Sequence, residues 1–205
     1  MKNSYKSQGS AVKQQGFTLI ELVVVVAIIG ALIALVSPNV AGSRDSVTAN
    51  LLLRASQNIA SNWNILSQNC GTTTDVTTSP IPSTAGASNV LSLLFGGTST
   101  TTNGIATNGD YSACYNQSKI LPLSEIGQYN SGWKVASYAV ELSGGGSAPL
   151  SVTFKKVPDS IVSLIATKFN PSATVTTSAG SVAGMVTWTT PTSGARDVTI
   201  IRQIN

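Results

Sequence analysis

The chain has no histidine, only two cysteines and few charged side chains, and each shortage excludes a kind of site. Its 205 residues include 12 basic and 8 acidic side chains. Histidine is the most frequent general base and metal ligand, and the sequence also has no paired-carboxylate pattern, nucleophile elbow or phosphate loop. We therefore expect a protein that is not an enzyme and uses no cofactor.

The same shortages argue against a bound metal. Two cysteines without histidine cannot complete a tetrahedral zinc site. Calcium needs several converging oxygen ligands, whereas Asp75, Asp110, Asp159 and Asp197 are scattered along the chain. We expect no metal site.

The net charge of +4 comes mainly from the start of the chain. Lys2, Lys6 and Lys13 precede Phe17, and the remaining nine basic side chains face eight acidic ones. This near-neutral remainder argues against nucleic-acid binding. Basic residues in front of an apolar segment tend to stay in the cytoplasm, so the chain after the segment is predicted to lie outside.

A long hydrophobic run, residues 17–36, follows these lysines. About 20 helical residues span about 30 Å, the thickness of a bilayer core. The run has no polar stripe, which is typical of a helix in lipid or in a protein core. Glu21 is its one acid, and a carboxylate within a spanning helix costs about 2.5–3.5 kcal/mol on insertion scales. Pro38 follows the run and predicts a bend near residues 36–38.

A second helical pattern is predicted over residues 37–68, as an amphipathic continuation. Its apolar residues recur every three or four positions, which predicts one buried face. That face consists of Val47, Leu51, Ala55, Ile59, Trp63 and Leu66.

Residues 69–205 are predicted to form a globular head of α+β class, with the long helix packed on an antiparallel sheet. Strands are expected at 133–142, 150–157, 181–189 and 197–204, and a helix from Asp159, as its N-cap, to about Phe169. Residues 71–109 are expected to form a long loop, in which 90–95 is a helical turn or a strand. Residues 108–110 are expected to form a turn.

The two cysteines, Cys70 and Cys114, most simply form one disulfide if the head lies outside the cell. Two buried free thiols are the alternative. The three tryptophans, Trp63, Trp133 and Trp188, are expected to be core residues rather than ligand platforms.

The sequence Gly16-Phe-Thr-Leu-Ile-Glu21, with the apolar run behind it, closely resembles the processing motif of type IV pilins and pseudopilins. The resemblance implies the pilin fold and cleavage after Gly16 by a prepilin peptidase that also methylates the new amino terminus at Phe17. Gly16 has no Cβ to obstruct a narrow protease cleft. The resemblance further implies that Glu21 pairs with the Phe17 amine of a neighbouring subunit, and Pro38 sits where many such pilins bend.

The family also implies a location and a set of partners. Residues 1–16 would be a leader, and the precursor would cross the inner membrane once before it joins an extracellular pilus built from copies of itself. Assembly would use an inner-membrane platform and an ATPase. The features that separate type IVa from type IVb pilins disagree. Phe17 is the usual type IVa residue. A 16-residue leader, however, is long for type IVa, and residues 150–164 are similar to the heads of type IVb pilins.

Three other functions remain open on the sequence. The chain could be a minor or tip pilin with an adhesive head, or a pseudopilin of a secretion system. It could also be a simple surface protein whose first 36 residues are a signal anchor or signal peptide. Cleavage in front of the apolar run, rather than behind it, separates the pilin class from the last of these.

Overall fold

The structure, a computed structural model, describes residues 18–98, 105–120, 126–129 and 132–204, with the backbone alone at 35–43 and 129. The chain divides into two compact units, 1–42 and 43–205, and each is described by itself. Helix α1 (Leu19–Asn69) begins in the first unit and ends in the second. The class is α+β, as predicted, and the architecture is consistent with the pilin fold.

The second unit is built on an antiparallel sheet. Its described strands lie in the order β1-β2-β3-β4-β7-β6-β5. They are β1 (Ile126–Tyr129), β2 (Gly132–Val135), β3 (Tyr138–Gly144), β4 (Leu150–Pro158), β5 (Gly180–Val182), β6 (Val186–Trp188) and β7 (Ala195–Arg202). The described helices besides α1 are α2 (Ala87–Gly96), α3 (Gly109–Ser118) and α4 (Asp159–Phe169).

One face of this sheet is apolar and the other is polar, because successive side chains of a strand point to opposite faces. On β4, Leu150, Val152 and Phe154 are fully buried, and their partners on β7 include Val198 and Ile200. On β4 the intervening residues are Ser151, Thr153 and Lys155. The sheet therefore buries a single face, and helices complete the core on that side.

The second-unit part of α1 supplies a continuous buried stripe to this core. Ala49, Leu52, Ala55, Ile59, Trp63 and Leu66 are all at most 1% exposed. The predicted face is correct from Ala55 onward but wrong before it, since Val47 is 66% exposed and Leu51 is half-buried. Arg202 of β7 explains part of the shift, because its guanidinium donates to Ser56 Oγ (2.8 Å) and to the Leu53 carbonyl (3.2 Å).

The segment after α1 packs against the β3–β4 turn, Gly144–Pro149. Val76 N–H donates to the Gly144 carbonyl (3.2 Å), and Gly146 N–H donates to Thr74 Oγ1 (2.9 Å). Gly145 has a φ of +91°, and a Cβ there would lie 2.0 Å from the Thr74 carbonyl oxygen. Only glycine allows this close approach, because any other residue would clash with the backbone.

Several local predictions are wrong. The expected loop over 71–109 contains helix α2, so of the two alternatives for residues 90–95 the helical one is correct. The helix forms because Val90, Leu91, Leu93, Leu94 and Phe95 bury a face on the sheet. Residues 108–110 begin α3 instead of forming a turn: Asn108 Oδ1 accepts from Asp110 N–H (3.1 Å) and caps the helix. The strand expected at 133–142 is two strands, interrupted by Ala136 at a φ of 54°.

The three tryptophans belong to the core, as predicted. Trp63 is fully buried and its indole N–H donates to the Thr74 carbonyl (2.7 Å). Trp133 packs edge-on against Phe95, with ring centroids 5.2 Å apart, and donates to Ser92 Oγ (3.1 Å). Trp188 is 6% exposed.

Candidate processing and assembly segment

The predicted cleavage point lies at the edge of what the structure describes. Gly16 and Phe17 are outside the described residues, and the description begins at Thr18. The two residues therefore stay predictions based on the sequence.

Thr18 and Glu21 form a capping box at the start of α1. Glu21 Oε2 accepts hydrogen bonds from the Thr18 backbone N–H (2.9 Å) and from the Thr18 hydroxyl (2.9 Å). In return, Thr18 Oγ1 accepts from Glu21 N–H at 3.4 Å. This reciprocal arrangement pairs polar groups that the first helical turn otherwise leaves without partners. Within the described residues Glu21 Oε1 accepts no hydrogen bond, so one carboxylate oxygen stays open to another partner.

The capping box was not predicted from the sequence, although its signature is readable there. A threonine followed three residues later by glutamate, directly before an apolar run, is the usual pattern at a helix start. Glu21 was assigned only to pairing between subunits. The structure gives it a local role as well.

The first-unit part of α1 presents an apolar surface all round. Its large aliphatic side chains between residues 19 and 33 are exposed by half or more, from 50% at Val24 to 82% at Leu19. They are Leu19, Ile20, Leu22, Val23, Val24, Val25, Val26, Ile28, Ile29, Leu32 and Ile33. Such a continuous exposed patch marks a surface that contacts a partner or a membrane.

The predicted span 17–36 lies only partly within this description, since Phe17 is outside it and side chains are not described from 35 onward. Among the residues that the structure describes, no helix meets the length and hydropathy needed to cross a membrane.

Pro38 lies within the backbone-only stretch 35–43. The helix is assigned through it, from Leu19 to Asn69. The side chain of Pro38 is not described, and the bend predicted at 36–38 stays a prediction.

The predicted disulfide between Cys70 and Cys114 is present. It joins the residue after α1 to helix α3, with the two Cα atoms 5.2 Å apart. A hydrogen bond from Asn69 Nδ2 to Ser118 Oγ (2.9 Å) lies beside it. The disulfide therefore attaches the segment from 71 to 113 to the end of the long helix.

The ion pair between Asp159 and Arg196 was not predicted. Asp159 was expected to be an N-cap, but the cap position is Pro158 and Asp159 is the first helical residue of α4. Its carboxylate accepts from Arg196 Nε (2.6 Å) and Nη2 (3.0 Å), and this hydrogen-bonded guanidinium lowers the pKa of the Asp159 carboxyl. The Arg196 side chain is 1% exposed and also donates to the Ser178 and Thr189 carbonyls.

A row of charges lies on the polar face of the sheet. Lys155 Nζ is 2.9 Å from Glu141 Oε2 and 3.0 Å from Asp197 Oδ2. These hydrogen bonds, that to Glu141 first, raise the pKa of the Lys155 amine. In the described part of the chain, no three metal-ligating side chains of the His, Cys, Asp or Glu type come together.

Comparison with protein families identifies one segment of the chain. The model of the prokaryotic N-terminal methylation motif matches residues 12–37, which include the proposed cleavage point, Glu21 and the whole apolar run 17–36. No curated protein and no solved structure matches the chain. The motif supports a type IV pilin-like or pseudopilin-like protein that is processed by a prepilin peptidase.

Proposed function

We propose that the chain is the precursor of a structural subunit of a type IV pilus-like filament and has no enzymatic role. It is cut after Gly16, methylated at Phe17 and polymerised through the apolar part of α1. Before assembly this part of the helix sits in the inner membrane. A prepilin peptidase, an assembly platform and an ATPase act on it.

The observation that carries this proposal is the match to the methylation motif at 12–37 together with the apolar surface that begins directly behind it. Burying a Val, Leu or Ile side chain is worth about 1.5–3 kcal/mol relative to leaving it in water. Eleven such side chains exposed between residues 19 and 33 therefore favour lipid or other helices over water. A precursor in a bilayer and a helical bundle in a filament both remove this surface from water.

The geometry of Glu21 supports a role in docking. Its Oε2 is occupied by Thr18, whereas Oε1 has no partner among the described residues. A carboxylate can accept several hydrogen bonds at once, so the capping box leaves room for a cation. After cleavage the Phe17 amine of an adjacent subunit supplies that cation and sets the axial stagger.

The second unit supports the idea that the head needs no neighbour to fold. Its core residues come from α1, α2, α4 and most of the sheet, and they form one buried cluster. The head can therefore be carried outside the cell while the apolar helix holds the filament together.

Mass spectrometry of the mature amino terminus tests the proposal. We expect a chain that starts at N-methylated Phe17. An intact Met1, or a start behind the apolar run near Ala41, would instead assign the chain to the signal-anchored or secreted class.

A pair of leader substitutions tests whether cleavage occurs after Gly16. Gly16→Leu should leave full-length precursor in the membrane, because a bulky side chain blocks the extended backbone in the protease cleft. Gly9→Leu, within the same leader, is the control and should be processed normally. Normal filaments from the Gly16→Leu chain would contradict cleavage at this position.

A further inference from the structure

The second unit contains a cavity of about 420 Å³ that the filament role does not use. It opens between β4 and the segment that leads into β7. Its lining includes Arg196 and the polar residues Lys156, Thr189, Thr190, Thr192, Ser193 and Asp197. This volume falls within the range of about 300–1,000 Å³ that is usual for small-molecule sites.

Two backbone irregularities frame the cavity. The pairing of β4 with β7 shifts between Phe154 and Val157, and Lys156 at this bulge has a φ of 56°. On the opposite rim Ser193 has a φ of 55°, in the turn closed by the Thr192–Ala195 bridge. Non-glycine residues in this left-handed region are uncommon, and such residues concentrate at binding sites.

A hydrogen bond to Asp197, another residue that lines the cavity, holds the Lys156 backbone in this conformation. The Lys156 backbone N–H donates to Asp197 Oδ1 at 3.1 Å, and the other oxygen of that carboxylate receives Lys155 Nζ at 3.0 Å. Lys156 lines the cavity, whereas Lys155 belongs to the charged row.

Of the three charged side chains that line the cavity, two have partners of opposite charge. Arg196 is paired with Asp159, and Asp197 is paired with Lys155 and with the Lys156 amide. Among the described residues, the Lys156 ammonium has no hydrogen-bond or ion-pair partner. The charge that is left over in the cavity is therefore positive.

Hydroxyl-bearing residues line the same cavity as Lys156. Thr189 Oγ1 accepts from Asp197 N–H (3.0 Å), so its own O–H is available to donate. The hydroxyls of Thr190, Thr192 and Ser193 are exposed and have no partner in the part of the chain that the structure describes. A single cation among several hydroxyls suits a ligand that has one anionic group on a polyhydroxylated body.

We propose that this cavity binds an acidic saccharide unit, with the Lys156 ammonium on its carboxylate or sulfate and the threonine and serine hydroxyls on its ring hydroxyls. The site lies wholly in the second unit and does not depend on processing or polymerisation. The two proposals can therefore fail independently. A failed saccharide-binding test leaves the filament role in place, and a failed processing test leaves the saccharide site in place.

Saturation-transfer NMR on the full chain, in an uncharged detergent without sugar, tests the proposal with four probes. Glucuronic acid should bind, whereas glucose and acetate should bind at least ten-fold more weakly, because each lacks half of the recognised groups. Glucose 6-sulfate distinguishes sulfated from carboxylated sugars, and binding of either acid supports the site. Raising the salt concentration should weaken binding, because the ion pair is partly exposed.

Lys156→Asn is the decisive variant, since asparagine tolerates the left-handed backbone and removes only the ammonium. It should weaken glucuronic acid binding at least ten-fold, while Lys168→Asn, the same charge change at an exposed position of α4, should leave binding unchanged. Tryptophan fluorescence verifies that both variants are folded. Absence of glucuronic acid and glucose 6-sulfate binding to the unmodified chain, equal binding of acetate, or full binding by Lys156→Asn would each overturn the proposal.

Discussion

The two units of the chain differ in the solvent exposure of their large apolar side chains. Between residues 19 and 33 every large aliphatic side chain is exposed by half or more, whereas in the second unit Leu52, Phe154 and Ile200 are fully buried. The second unit satisfies its own apolar surface and the first does not. The apolar side chains of the first unit leave water only if a bilayer or another protein surface covers them, whereas the head has a core of its own.

The polar groups show the same contrast. In the first unit, the described polar contacts are those of the Thr18–Glu21 capping box. In the second unit, ion pairs, a disulfide and side chain–backbone hydrogen bonds hold the elements together. Substitutions in the first unit should therefore affect association, and substitutions in the second should affect folding stability.

The largest expected effect separates the two roles of Glu21. Glu21→Gln keeps a capping side chain but removes the charge, and Glu21→Val removes both. If docking needs the carboxylate, both variants should be processed normally yet yield almost no filaments in a shearing assay. Thr18→Val, which loses the hydroxyl cap but keeps the carboxylate, is the control and should still assemble. Normal filaments from Glu21→Gln would restrict Glu21 to its capping role.

The next effect tests whether the head is stabilised from within. Replacing both cysteines, as Cys70→Ser with Cys114→Ser, should lower the free energy of unfolding by about 3–4 kcal/mol, because the denatured chain regains the freedom of a loop with a sequence separation of 44. Guanidinium denaturation followed by tryptophan fluorescence measures this, since all three tryptophans lie in the second unit. Ser118→Ala, beside the disulfide, should change stability much less. An unchanged midpoint in the double variant would contradict the expected stabilisation.

A smaller effect concerns the contact between the β3–β4 turn and the segment after α1. Gly145→Ala places a Cβ 2.0 Å from the Thr74 carbonyl oxygen and should cost about 1–3 kcal/mol. Gly146→Ala also has a positive φ, but its nearest contact is 3.4 Å, so it should cost about 1 kcal/mol. The same denaturation assay compares the two. Equal losses would mean that backbone conformation, rather than the clash, determines the cost.

The smallest effect is a pH dependence from the Asp159–Arg196 pair. Because Arg196 lowers the pKa of the Asp159 carboxyl, the pair stabilises the fold above the ordinary carboxyl pKa of 3.8 and loses this effect as pH falls below it. Asp159→Asn should therefore lower the denaturation midpoint at pH 7, and its difference from the unmodified chain should shrink toward pH 3. Asp110→Asn serves as the control. A difference that grows on acidification would show that the pKa is not lowered.

The sequence sufficed for features that depend on local pattern. The α+β class, the strand from Leu150, the helix ending at Phe169 and the buried tryptophans followed from alternation, helical spacing and turn residues. The Cys70–Cys114 disulfide followed from there being only two cysteines. The Gly16–Phe17 cleavage point lies outside the described residues and stays a prediction.

Features that depend on distant neighbours could not be predicted. Arg196 lies just before the predicted strand 197–204, and only the fold brings it to Asp159, 37 positions away. Val47 and Ala49 both fit a helical stripe, and which of them is buried depends on how β7 contacts α1 through Arg202. The cavity at Lys156 depends on a bulge whose position no single-strand pattern reveals.

The position of the disulfide also has a mechanical consequence. In an assembly anchored through α1, tension on the head can extend only those parts of the chain that are not cross-linked, and Cys70, one residue beyond Asn69, is bonded to Cys114. The bond passes force directly to Cys114 and bypasses the 44-position segment between them. That segment, pulled straight, would add about 150 Å of length at about 3.4 Å per residue. While the sulfurs stay joined, a stretched head cannot release this length.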